Sequence, residues 1–139
     1  YQEFATAWPQ VGDENPVAAR FNRVPKYVVS RTLERADWAD STIISGDIAT
    51  AVADLKRDGE GEIQVHGSSG LIQTLLRHDL VDEFFPVLIG SGKRLFGDGT
   101  LPGGLTLAAT STTTGGVTMS RYVRDGELRT GFYAAESDN

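Results

Sequence analysis

No cysteine occurs in the 139 residues, which excludes a disulfide framework, a thiolate nucleophile and a zinc-finger site. Histidine is nearly absent too: His66 and His78 are the only two, and neither has carboxylates at ligand spacing, so no metal site is expected. No apolar run approaches the ~18 residues of a membrane span. Basic residues are outnumbered, the net charge is −6, and no basic stripe is interleaved with aromatics. Neither a membrane nor a nucleic acid is therefore an expected partner, and a cytoplasmic setting is expected. What is present is ordinary for a soluble domain: hydrophobic residues make up 40% and charged residues 23%, enough for one core over residues 1–139.

Apolar spacing predicts the elements. Tyr1–Trp8 reads as the end of a helix, with Tyr1, Phe4, Ala5 and Trp8 on one face, followed by a loop from Pro9 to Pro16 and a short helix over Val17–Asn22. Lys26–Arg31 reads as a strand introduced by Pro25, and Thr42–Ser45 as another. Asp47 is the expected N-cap of a helix over Ile48–Arg57, whose Ile48, Val52 and Leu55 form one stripe. A strand over Ile63–His66, a helix over Leu71–Arg77 and a buried strand over Glu83–Ile89 follow. Three more strands, Leu105–Thr112, Val117–Val123 and Leu128–Ala134, close the chain, the last two joined by the turn Arg124-Asp125-Gly126-Glu127. Strands alternating with helices and then running antiparallel give an α/β fold, with a mostly parallel central sheet and an antiparallel C-terminal edge.

The most informative stretch is Ile63 to Leu76, where a β-prone run meets Gly67-Ser68-Ser69-Gly70 and an apolar-periodic helix begins at once. Free backbone N–H groups and the positive end of a helix dipole meet there, as a phosphate requires. Taken alone, the same residues describe a serine-capped crossover helix equally well. Open α/β sheets bind ligands at the carboxyl ends of their parallel strands. Here those ends read Ser30-Arg31-Thr32, Ser45-Gly46-Asp47, Gly67-Ser68-Ser69-Gly70 and Gly90-Ser91-Gly92-Lys93, all small, polar or glycine-rich. Four such ends suggest a crevice for an extended, phosphate-bearing ligand. Arg31 suits a phosphate through its planar fork, or is a solvated arginine at a strand end. Gly90–Lys93 lacks Walker A spacing and is as well a solvated turn.

A hydrolase is a poorer match. Gly67-Ser68-Ser69-Gly70 is one residue short of the G-x-S-x-G elbow, so His66, Ser68 and Asp82 do not make a convincing triad. His66 reads as a packed, hydrogen-bonded histidine ending a buried strand. His78 reads as a helix-end residue that complements the dipole, and Asp82-Glu83 as solvated or salt-bridged acids.

Lys26-Tyr27-Val28-Val29-Ser30-Arg31-Thr32-Leu33, Trp38, Val65-His66-Gly67-Ser68-Ser69-Gly70-Leu71, Leu80-Val81-Asp82-Glu83 and the block from Phe85 to Phe96 follow one another in an order that resembles a known family. It is the bacterial dihydrofolate-reductase-like family that includes the C-terminal reductase domain of riboflavin biosynthesis. The resemblance implies a dihydrofolate-reductase-like three-layer sandwich, NADPH as cofactor and a homodimer. It also implies that Ser30, Arg31 and Thr32 meet the adenosine side, with Arg31 near the extra ribose phosphate. Gly67, Ser68, Ser69, Gly70 and Leu71 would then cradle the pyrophosphate, and Gly90 and Gly92 would border the nicotinamide and substrate end. Against the family pattern, residues are expected to be missing before Tyr1, including a central strand and one cofactor-binding turn, and again between Glu83 and Phe85. The expected function is reduction of a flat, nitrogen-rich heterocycle, pterin- or aminopyrimidine-like and ribosylated or not. The alternative is a non-catalytic nucleotide-binding module of the same fold. No side chain is identifiable as the proton donor.

Overall fold

The computed structural model describes residues 1–86, 95–100 and 102–126, and the chain divides into two units, Tyr1–Ile63 and Gln64–Asn139, each with its own order. In the first unit, helix α1 spans Gln2–Val11 and helix α2 spans Pro16–Arg23. Asn15 starts α2 because its Oδ1 accepts from the Val17 and Ala18 amides at 2.9 and 3.2 Å, while Pro16 at the first position lacks only an N–H that would be orphaned anyway. The two helices meet through aromatics: the Trp8 and Phe21 rings lie 4.8 Å apart, and Phe4 is 6.2 Å from Phe21. Helix α1 runs three residues beyond the expected stop at Trp8. Pro9 removes one ladder donor, but only near the end of the helix, and the Asn22 amide donates to the Trp8 carbonyl at 3.4 Å.

Strand β1 (Lys26–Val29) pairs in parallel with strand β2 (Ser41–Ile44), Val28 opposite Ile43. Helix α3 (Ile48–Asp58) follows, capped as expected: Asp47 accepts from the Ala49 and Thr50 amides at 3.0 and 3.3 Å. Ala18, Val28 and Trp38 are the buried apolar residues of this unit.

In the second unit helix α4 spans Ser69–Arg77 and buries Leu75. A three-stranded antiparallel sheet has the order β3 (Glu83–Phe84), β5 (Thr118–Arg124), β4 (Leu105–Thr112). The antiparallel C-terminal edge is thus present, and β4 has the expected limits. Phe84 is buried against Phe96, with ring centroids 5.6 Å apart. Gln73 ties residues 95–100 to α4, its amide donating to the Leu95 carbonyl at 2.6 Å and its oxygen accepting from the Thr100 hydroxyl at 2.9 Å.

One expectation is corrected and a second is seen only in part. Ile63–His66 forms no strand, and Ile63 and Val65 are 46% and 39% exposed. Its β-branched alternation favours extension, but a strand needs a neighbour for its N–H and C=O groups, and no described strand forms a ladder with it. For the same reason the described parallel pairing is the β1·β2 pair alone, so a mostly parallel central sheet is not seen among the described residues. The continuation of the Glu83 strand to Ile89 and the strand Leu128–Ala134 lie outside the described residues. Among the described residues no helix is long and apolar enough to cross a membrane.

Candidate functional site

The turn into α4 has the backbone shape of an anion cradle. Gly67 has φ 75° and Ser68 has φ 57° and ψ 59°, two successive left-handed residues that swing the chain into the helix. Such a conformation is natural for glycine but costs a serine about 1–3 kcal/mol, and strain of this kind gathers at ligand-binding turns. The first intrahelical bond runs from the Ile72 amide to the Ser68 carbonyl at 3.0 Å. The amides of Ser69, Gly70 and Leu71 therefore have no intrahelical acceptor and open outward at the positive end of the helix. Ser68 does not cap the helix with its side chain, so its hydroxyl is available as well. Among the described residues nothing lies within 4 Å of where a Cβ of residue 67 or 70 would be. Glycine at 67 is required by φ, not by crowding within the protein.

In the first unit, Ser30, Arg31 and Thr32 share one turn at the carboxyl end of β1. The Ser30 amide donates to the Ile44 carbonyl at 3.1 Å and extends the parallel pairing. Its Oγ accepts from the Thr32 and Leu33 amides at 3.3 and 3.0 Å, which bends the chain away from the sheet. Arg31 is exposed and, among the described residues, makes neither an ion pair nor a side-chain hydrogen bond. Its fork is left free for an external anion.

Sequence reasoning missed a feature of the same unit: an open groove of about 580 Å³ between α1 and the segment after β1, with Tyr1, Trp38 and Leu33 among its walls. Trp38 is anchored from several sides. Its Nε1 donates to Asn22 Oδ1 at 3.0 Å, its backbone amide donates to the Tyr1 hydroxyl at 2.9 Å, and the Lys26 ammonium lies 4.6 Å from its ring centroid. Lys26 also donates to the carbonyls of Phe21, Asn22 and Val24, closing the end of α2. Burial pushes its ammonium below the usual lysine range, with the Asp40 carboxylate opposing the shift. The available signal was a lone aromatic among the charged residues and alanines of Glu34–Asp40.

Other candidates have local roles. Asp47 caps α3, and His78 occupies the C-cap of α4. His66 is exposed, not packed at a strand end, with its Nε2 3.2 Å from Gln64 Oε1. Glu83 is salt-bridged to Arg121 at 2.6 Å. Gly90, Gly92 and Lys93 lie outside the described residues. Among the described residues no group of three or more His, Asp or Glu is arranged to hold a metal ion.

Comparison with known proteins adds three findings. The family described as the RibD C-terminal domain matches residues 3–119. The uncharacterized protein YyaP of Bacillus subtilis (strain 168) is 36% identical over 101 residues, covering 70% of this chain and 53% of YyaP, so the chain spans about half the length of that relative. A solved structure from Shewanella sp. PV-4, whose name provisionally assigns it to riboflavin biosynthesis, superposes with a TM-score of 0.61 at 24% identity. It covers 81% of this chain and 70% of its own, a likeness of fold.

Proposed function

The chain belongs to the RibD C-terminal domain family, and on that footing we propose that it is an NADPH-dependent reductase of a pterin- or aminopyrimidine-like heterocycle, ribosylated or not. The finer fold proposed with it is the dihydrofolate-reductase-like three-layer sandwich, and the setting the cytoplasm. The observation that carries the reading is the left-handed Gly67-Ser68 pair at the start of α4, which leaves three amides without an acceptor among the described residues. A pyrophosphate fits that donor set, since it offers only acceptors and negative charge and the open side of Gly67 and Gly70 lets it approach the backbone. Ser68 and Ser69 supply hydroxyl donors to the same group. Arg31 fits the extra ribose phosphate, because its guanidinium has no competing carboxylate among the described residues.

When bound, the nicotinamide supplies the hydride. The chain's part would be to orient that ring and the substrate toward one another, so most of its contribution would be positioning. Thermal unfolding with and without NADPH tests the first half of the proposal: at about 100 times the dissociation constant, ligand adds ~2.7 kcal/mol of stability, a readily measured shift. NADPH oxidation with a panel of pterins and aminopyrimidines tests the second. Absence of heat protection refutes the cofactor reading. Protection without turnover on any compound of the panel identifies a non-catalytic nucleotide-binding module instead.

A further inference from the structure

Gln73 stands one turn into helix α4 from the amides of Ser69, Gly70 and Leu71, and its side chain is spent entirely on a distant stretch of the same unit. Its Nε2 donates to the Leu95 carbonyl at 2.6 Å. Its Oε1 lies 2.9 Å from the Thr100 hydroxyl, whose single proton is shared with the Gly97 carbonyl at 2.7 Å. The Thr100 amide donates to that same carbonyl at 3.2 Å, so residues 95–100 fold back on themselves and one side-chain amide grips both ends. On a helix, residues four apart stand one above the other, and side chains slant back toward the N-terminus. Gln73 therefore shares a face with Ser69 and reaches back over the first turn. Residues 95–100 are held beside that turn without filling it, since among the described residues nothing lies within 4 Å of where a Cβ of residue 70 would be.

We infer that Gln73 is a positioning residue for the anion site: it holds residues 95–100 as a side wall of the cradle, and anion affinity depends on it although it does not touch the anion. The inference rests on the reading of the turn before α4 as a phosphate site. The coupling is mechanical. An anion that orders the first turn of α4 also orders the wall, because the turn and the Gln73 backbone belong to one short helix and the wall hangs from the Gln73 side chain. Glutamine suits the task because one planar group supplies a donor for the Leu95 carbonyl and an acceptor for the Thr100 hydroxyl.

The test titrates the whole chain by calorimetry, once with inorganic pyrophosphate and once with NADPH. Gln73→Met keeps the length and the helix preference of the side chain and removes both hydrogen bonds. It is expected to weaken pyrophosphate about three- to tenfold, the scale of one or two ordinary hydrogen bonds. Thr100→Ser, which retains the hydroxyl, should bind as the unaltered chain does, and the double variant Gln73→Met, Thr100→Val should bind no more weakly than Gln73→Met alone. Amide exchange separates positioning from a purely structural tie. In the unaltered chain pyrophosphate is expected to slow exchange at the Thr100 amide, and in Gln73→Met that response should vanish. The measurement on the unaltered chain decides even where the variant fails to fold. No binding of millimolar pyrophosphate, no slowing at Thr100, or unchanged affinity in a folded Gln73→Met overturns the inference. Pyrophosphate binding that depends on Gln73, without NADPH binding, leaves the inference standing and refutes the reductase proposal. NADPH binding indifferent to Gln73→Met does the reverse.

Discussion

Arg31 and Gly67 are the residues on which the cofactor reading is most exposed to refutation, because each acts through a different property. Arg31 contributes charge from a solvent-facing position, so Arg31→Ala is expected to leave folding intact and to weaken NADPH by about 1.5–3 kcal/mol, with NADH little affected. Calorimetric titration of both cofactors checks this, and an equal loss for the two makes Arg31 structural. Gly67 contributes backbone freedom at φ 75°. Gly67→Val forces a β-branched residue into a region it avoids, so both cofactors are expected to weaken together and the turn itself to lose stability. Unchanged affinity would move the phosphate site away from this turn. Both residues stand out in the sequence by type and place, an arginine at the end of a strand and a glycine before a helix. The Trp38 anchor could not, since Lys26, Asn22 and Tyr1 reach it only after the two helices and β1 have been placed around it.

Among the elements, those specified by local chemistry were legible and those specified by partners were not. Helix α3 carries both its start and its stop in the sequence, Asp47 before an apolar stripe and Gly59 after it. Asp47→Ala should therefore cost about 1 kcal/mol, read as a lower midpoint of chemical denaturation, with Asp47→Asn retaining most of the stability. A loss no larger than that of a neutral surface substitution would show that the two short bonds to Ala49 and Thr50 contribute nothing measurable. The β4–β5 hairpin is similarly self-declaring, its turn closed by the Thr113 amide donating to the Val117 carbonyl at 2.9 Å, with Gly116 at φ 81°. Ile63–His66 shows the opposite case. Its residues alternate as a strand should, yet a strand is a relation between two segments, and no described strand forms a ladder with it. The turn before α4 was legible in position but not in detail: the glycine–serine run stands in the sequence, while the left-handed Ser68 that does not cap the helix was visible only in the folded backbone.

At the scale of the whole molecule, the sheet of the second unit presents a surface that a soluble protein rarely leaves bare. Among the described residues strand β4 lies at the edge of the order β3-β5-β4, and all eight of its residues are exposed. Leu105 and Leu107 share a face with Tyr122 and the buried Phe84, since Leu107 and Phe84 both stand opposite Tyr122 in the ladder. Leu107 is 51% exposed although it continues the face that buries Phe84, and Met119 on the other face is 55% exposed. An edge strand with apolar residues on both sides invites pairing or coverage, and nothing on β4 opposes it, for its eight residues include no charge and no proline. We therefore propose a homodimer in which this sheet face is covered by a second copy. Light scattering at micromolar concentration is expected to give twice the chain mass. Leu107→Lys, which sets a charge in the middle of the apolar face, is expected to shift the population to monomer without unfolding it, because that side chain is half in solvent already. A monomeric mass for the unaltered chain, or a dimer indifferent to Leu107→Lys, would place the contact elsewhere or remove it.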